Sequence, residues 1–231
     1  MDYWKHSQTQ RDVAWNFLVN TLAPDIALLQ ECVPNIECEK RYNLLYREIG
    51  GPRRWGSAII TRDLPIQEVE FNNAYPGAVV AADVTLSNGL LLTVISLYGL
   101  IDEDGYATTT LHRMLSDMTP LLNGRTGRSC FLIGGDYNVS TQWDDHYRHR
   151  YPSHRIFFER LEDFNLINCT AKFHNGHVQT IRHPKSKIPW QNDYIHVSKK
   201  LAERLVSCEV VDGPEIREIS DHNPVVAVFD I

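Results

Sequence analysis

Cys130-Phe131-Leu132-Ile133-Gly134-Gly135-Asp136-Tyr137-Asn138 runs from an apolar stretch of strand length into two glycines and a carboxylate. Three other strings share this build. Leu28-Leu29-Gln30-Glu31 closes an apolar run begun at Ile26, Asn192-Asp193-Tyr194-Ile195 opens one that reaches Val197, and Ser220-Asp221-His222-Asn223-Pro224 precedes the run from Val225 to Phe229. Strands lying side by side gather such end residues at one rim. Two carboxylates about 4 Å apart repel by roughly 4 kcal/mol at an effective dielectric near 20. Glu31, Asp136, Asp193 and Asp221 at one rim therefore call for a divalent cation.

Outward from these strings, the apolar spacing of Ala14, Phe17, Leu18 and Leu22 predicts a helix over 7–22, with Ser7 or Thr9 as cap and Pro24-Asp25 as its stop. Strands are expected at 26–29, 57–61, 130–133, 194–197, 207–211 and 225–229. Ser87-Asn88-Gly89 between Ala78–Leu86 and Leu90–Leu97 is a hairpin signal. Leu111, Met114, Leu115, Met118 and Leu122 mark one face of a helix over 109–122, and a shorter helix is expected at 156–164. Strands interleaved with a few helices, one hairpin among them, favour a layered α/β sandwich over a purely parallel sheet. No repeat, linker or low-complexity tract divides the 231 residues, so a single domain over 1–231 is expected.

Apolar content of 43% and charged content of 23% are those of an ordinary globular protein. No apolar stretch reaches bilayer length, and the first residues lack the apolar core of a secretory signal, so a cytoplasmic location with no membrane partner is the expectation. The five cysteines form no CxxC pair, which argues against a zinc ribbon or a disulfide framework. A net charge of −6 gives no global attraction to a polyanion, so any such partner is met by a local patch.

Taken in order, Gln30-Glu31, Ser96-Leu97-Tyr98, Gly135-Asp136-Tyr137-Asn138, Asp193-Tyr194-Ile195 and Ser220-Asp221-His222 resemble the endonuclease/exonuclease/phosphatase superfamily, from about Gln8 to the C-terminus. The resemblance implies a four-layer α/β sandwich with two packed, mainly antiparallel sheets, the deoxyribonuclease-I-like fold. It implies Glu31 and Asp221 as metal residues, with oxygen donors suited to Mg²⁺ or Mn²⁺. It further implies Asp136 as the residue that positions or deprotonates water, Asn138 as a phosphate donor, His222 at the scissile phosphate, Asp193 as its orienting acid, and Tyr98 as a strand-end contact. The tract from Thr180 through Trp190 to Asp193-Tyr194 looks most like the nuclease branch. Relatives open with a strand ending in Asn; Met1 stands where that strand should end, so either a preceding segment or a domain lacking its first strand is expected.

Plainer roles are open to the same residues. Glu31 can be a solvated strand end, Asp136 and Asn138 an Asx turn, Asp221-His222 a cap, Asp193 a partner of Lys199, and Tyr98 a core-edge aromatic. Gly134-Gly135 fits close approach of backbone to a ligand. The run from His146 to Arg155 interleaves cations with aromatics, as a phosphate-tracking, base-stacking surface does, or else is a solvated face; Arg148 and Arg150 within it, and Trp190 outside it, are the substrate-binding candidates, with Arg53-Arg54-Trp55, Lys185 and Lys187 weaker ones. The implied activity is Mg²⁺-dependent hydrolysis of nucleic-acid phosphodiesters by a monomer. A small phosphate ester or phospholipid headgroup is the alternative substrate. A catalytically silent binding domain without its first strand is the alternative of another class.

Overall fold

The structure, a computed structural model, describes residues 6–125, 130–147 and 153–231. Ser7 caps the first helix, α1 (Gln8–Asn16), in a reciprocal box: its hydroxyl accepts from the Gln10 N–H at 3.4 Å and its own N–H donates to the Gln10 side chain at 3.0 Å. The helix does not continue unchanged to Leu22. Phe17–Leu22 winds wider, as a π-helix, and Ala23 ends it at φ 41°, where Pro24 bars another right-handed turn.

The chain then lays down β1 (Ile26–Cys32), α2 (Ile36–Arg41), β2 (Asn43–Gly50), β3 (Arg53–Thr61), β4 (Ile66–Glu68), β5 (Val79–Thr85), β6 (Leu91–Leu97) and α3 (Thr108–Arg125). There follow β7 (Cys130–Asp136), α4 (Thr141–His146), α5 (Arg155–Asp163), β8 (Leu166–Asn168), β9 (Asp193–Ser198), α6 (Lys199–Ala202), β10 (Leu205–Val210), α7 (Pro214–Ile219) and β11 (Val225–Phe229). The hairpin at Asn88-Gly89 forms as expected: Gly89 sits at φ 80°, and β5 and β6 pair from Thr85 and Leu91 inward.

One sheet has the order β4-β5-β6-β7-β9-β8, and among the described residues its only parallel pair, β6 with β7, is joined by α3. Over one face lie β2-β3-β1 and the antiparallel pair β10-β11. Side chains alternating along each strand create three apolar interfaces, hence four layers. Ala27 and Leu29 of β1, with Ala58 and Ile60 of β3, pack under α1 against Trp15, Leu18 and Val19. Ile26, Leu28 and Ile59 point the other way and meet Val80, Val94, Cys130 and Val197 of the long sheet. That sheet's far face, with Ile95, Leu97, Phe131 and Ile133, is covered by Leu111, Met114, Leu115 and Met118 of α3 and by Phe157 and Leu161 of α5. Each fully buried Leu or Met there contributes about 1.5–3 kcal/mol.

The deoxyribonuclease-I-like four-layer sandwich is thus the observed architecture. Among the described residues β1 pairs with β3 alone and β11 with β10 alone; β1 lies against β6 and β7, and β11 against β9. None of the described helices is long and apolar enough to cross a membrane.

Candidate active site

The site is assembled where β1, β7 and β9 end. The antiparallel pairing of β7 with β9 sets Asp136 directly opposite Asp193, a juxtaposition of like charges that a ladder does not tolerate without a counter-charge. Gly135, at φ 143°, leaves no room for a side chain: a Cβ would lie 2.2 Å from the Leu97 carbonyl oxygen and 2.6 Å from Gln30 Nε2. Its close neighbours are therefore β6 and Gln30. The Gln30 amide donates to Ser96 Oγ at 2.8 Å and accepts from the Asp136 N–H at 3.3 Å, which ties β1 to β6 and β7.

Glu31 follows on a bulge between Leu29 and Cys32, at φ 49°. A glutamate in the left-handed region is uncommon and is held there by its surroundings. The Tyr98 hydroxyl donates to Glu31 Oε1 at 2.6 Å, and the edge of Trp55 meets the Tyr98 ring, with centroids 5.2 Å apart. Tyr98 therefore both lines the core and touches a candidate metal residue.

His222 supplies the counter-charge. Its Nδ1 lies 2.8 Å from Asp193 Oδ2, its Nε2 3.9 Å from Asp221 Oδ1. Asp193 pairs with this imidazole and not with Lys199, which is exposed. Donor atoms of Asp136, Asp193 and His222 all fall within 4.8 Å of one another. Burial opposes a charged His222, but Asp193, Asp136 and Asp221 together outweigh it and push the imidazole up to about 10. Asp136 is buried, which raises its carboxyl; Asp193 and Glu31 add to the rise, His222 and the Asn138 N–H oppose it, and the outcome is about 7. With Nδ1 directed at Asp193, Nε2 is the nitrogen left for a substrate oxygen.

Asn138 adopts φ 52°, its N–H closing an Asx turn on Asp136 Oδ1 at 2.9 Å and its Nδ2 donating to the Gly99 carbonyl at 3.0 Å. One Nδ2 hydrogen is left for another acceptor. The Trp190 indole N–H donates to Ser186 Oγ at 3.0 Å, and its half-buried ring meets His146 edge-on at 5.8 Å. Lys185 and Lys187 are exposed on the same loop. Arg148 and Arg150 lie outside the described residues.

Two groups that stood in the quoted strings without a role of their own hold the site together. Thr180, fully buried, accepts at Oγ1 from the N–H groups of Asn192 (2.9 Å) and Asp193 (3.0 Å). Asn223, 2% exposed, donates through Nδ2 to the Gln179 carbonyl at 3.1 Å and through its N–H to the Thr180 carbonyl at 2.7 Å. The adjacency of Asn223 to Asp221-His222 was the one available signal for it.

The donor chemistry fits a hard divalent cation. Carboxylates of Asp136, Asp193 and Asp221 face a single imidazole, Glu31 adds to the negative charge felt by Asp136, and burial holds the Asp136 carboxyl far above its ordinary range.

No family model matches the sequence, and no curated protein matches it. Solved structures do match its shape. An AP endonuclease from Archaeoglobus fulgidus superposes with a TM-score of 0.72 at 22% identity, over 95% of this chain and 93% of that one. A 3'-5' exonuclease (NExo) from Neisseria meningitidis gives 0.72 at 20% identity, over 97% and 96%. The 3' phosphatase NExo from Neisseria bound to a product DNA hairpin gives 0.72 at 19%, over 97% and 95%. Agreement over nearly the full length of each chain, together with the ordered strings at the strand ends, identifies the fold as that of the deoxyribonuclease-I-like endonuclease/exonuclease/phosphatase superfamily.

Proposed function

We propose that this chain is a divalent-metal-dependent phosphoester hydrolase that cleaves phosphodiester bonds of nucleic acid. The observation that carries the proposal is the packing of Asp136, Asp193 and His222 within 4.8 Å, beside Glu31, at one rim of this fold. Asp136, opposite Asp193 and raised to about 7, is poised to accept a proton from an attacking water near neutral pH. Asp193 fixes the orientation of the His222 ring through Nδ1 and favours its charged form, so that Nε2–H donates to a phosphoryl oxygen as charge builds there. Asn138 offers a second donor. Glu31 and Asp221 would hold Mg²⁺ or Mn²⁺, which when bound polarises a phosphoryl oxygen and stabilises the leaving oxygen. Tyr98 orients the Glu31 carboxylate.

Nucleic acid is favoured as substrate because similar structures are described as an AP endonuclease and a 3'-5' exonuclease. A phosphomonoester reading is the second choice, motivated by the similar protein described as a 3' phosphatase. Incubation with plasmid, abasic duplex, single strands and a 3'-phosphorylated oligonucleotide, each with Mg²⁺ and with EDTA, tests both. Metal-dependent strand cleavage is expected, reduced about 10³-fold or more in Glu31→Ala. Release of inorganic phosphate with every phosphodiester intact selects the second reading, and no turnover in any arm overturns both.

A further inference from the structure

The segment 179–182 grips both members of the Asp193–His222 pair. On one side Thr180 Oγ1 accepts the N–H groups of Asn192 and Asp193. On the other, Ile181 forms an antiparallel bridge with His222, and the Arg182 N–H donates to the Asp221 carbonyl at 2.8 Å. The Arg182 side chain then reaches around the same loop. Its Nη2 donates to the Ser220 carbonyl at 2.5 Å and to the His222 carbonyl at 3.4 Å, while Nη1 donates to Asn223 Oδ1. Asp212 Oδ1, 3.6 Å from Nη1, steadies the guanidinium and is itself held by Arg217 at 2.7 and 3.1 Å.

Such a set of contacts makes sense if the loop needs to be held rigidly. Two main-chain carbonyls and one amide oxygen, spread over Ser220 to Asn223, converge on one planar fork that only arginine supplies. Those residues flank and include His222. With Thr180 fixing the Asp193 backbone, the fork sets how far the imidazole reaches toward Asp193 and where Nε2 points. A displacement of about 1 Å at such a group can cost on the order of 10²-fold in rate.

We propose that Arg182 is a positioning residue for His222, fixing the imidazole against Asp193 by holding the carbonyls on both sides of it. The proposal rests on the phosphoester-hydrolase reading for its kinetic test only. Arg182→Ala is expected to lower kcat about 10–100-fold with KM within about twofold, Arg182→Lys to fall between it and wild type, and added guanidinium ion to restore part of the Arg182→Ala loss. In ¹⁵N-histidine-labelled protein, the Nδ1 proton that His222 shares with Asp193 is expected as a downfield resonance, broadened or lost in Arg182→Ala and retained in Arg182→Lys. An unaltered Nδ1 signal in a folded Arg182→Ala protein overturns the proposal, as does a kcat loss that neither lysine nor guanidinium relieves. If Arg182→Ala fails to fold, Arg182→Gln takes its place: a broadened or lost Nδ1 signal supports the proposal and an unaltered one overturns it. If the wild type hydrolyses no phosphoester, the functional reading fails while the resonance still judges Arg182.

Discussion

Asp136 works against the fold that holds it. Its carboxyl is raised to about 7 by burial, with Asp193 opposite adding to the rise, and that value already includes the attraction of His222. Relative to an unfolded aspartate near 3.8, the native state binds the extra proton between about pH 4 and 7, so this group's contribution to stability falls as pH rises through that window and is fully lost above it. His222 has the opposite consequence. Raised to about 10 from an ordinary 6.5, it contributes stability that is complete below about 6.5 and is lost as pH climbs through 10. Asp136→Asn is therefore expected to melt higher than wild type at pH 8, by roughly 2–8 °C for about 1–2 kcal/mol, with no gain at pH 4, while activity falls about 10³-fold or more. The wild-type rate without added cation excess should rise through about pH 7 and fall near 10. Calorimetric melts at the two pH values check the first part, and identical wild-type and variant melting at both would remove Asp136 as the strained group.

At the scale of elements, the site depends on how tightly β7 lies against β1 and β6. Gly135→Ala places a methyl 2.2 Å from the Leu97 carbonyl, at a φ of 143° that alanine resists, and drives Gln30 from Ser96. A loss of about 3 kcal/mol or more, some 6–12 °C in melting temperature, is expected. Activity should fall even at temperatures where the variant is folded, because Asp136 and Glu31 hang from the same two strands; a fully active, stable Gly135→Ala would contradict this packing. The strands that carry the site were legible for the reason that makes them rigid: β1, β7, β9 and β11 are apolar on both faces and end abruptly in polar residues. Several other elements were not. β2 carries Asn43, Arg47 and Glu48 along an outer position, β4 and β8 have three residues each, and α2, α4 and α7 have six, too few for a period to show. Arg182 escaped notice because its acceptors are mostly main-chain carbonyls, which leave no trace in residue type. At Gly135 a close approach is visible in sequence, but the protein groups that approach, Gln30 and the Leu97 carbonyl, are not.

For the whole molecule, charge decides how a nucleic acid could be held. With 23 basic against 29 acidic residues, the net charge of −6 repels a polyanion at long range, so attraction must come from a local surface near the site. Among the described residues that surface includes Lys185 and Lys187, both exposed beside Trp190, whereas Arg155 is already paired with Asp145 at 3.0 Å. A patch of this size neutralises only a few phosphates. Each phosphate neutralised on duplex DNA contributes about −0.9 to the slope of log affinity against log salt. A slope of roughly −2 to −4 is therefore expected for Asp136→Asn, chosen because its cleavage is expected to be slow, by fluorescence anisotropy between about 50 and 200 mM salt. Lys185→Ala with Lys187→Ala should weaken binding and flatten the slope by about 1–2. A slope much steeper than −4 would mean that cations elsewhere on the chain dominate the contact. A flat line with measurable binding would mean that aromatic stacking, with Trp190 as the first suspect, carries the affinity instead of charge.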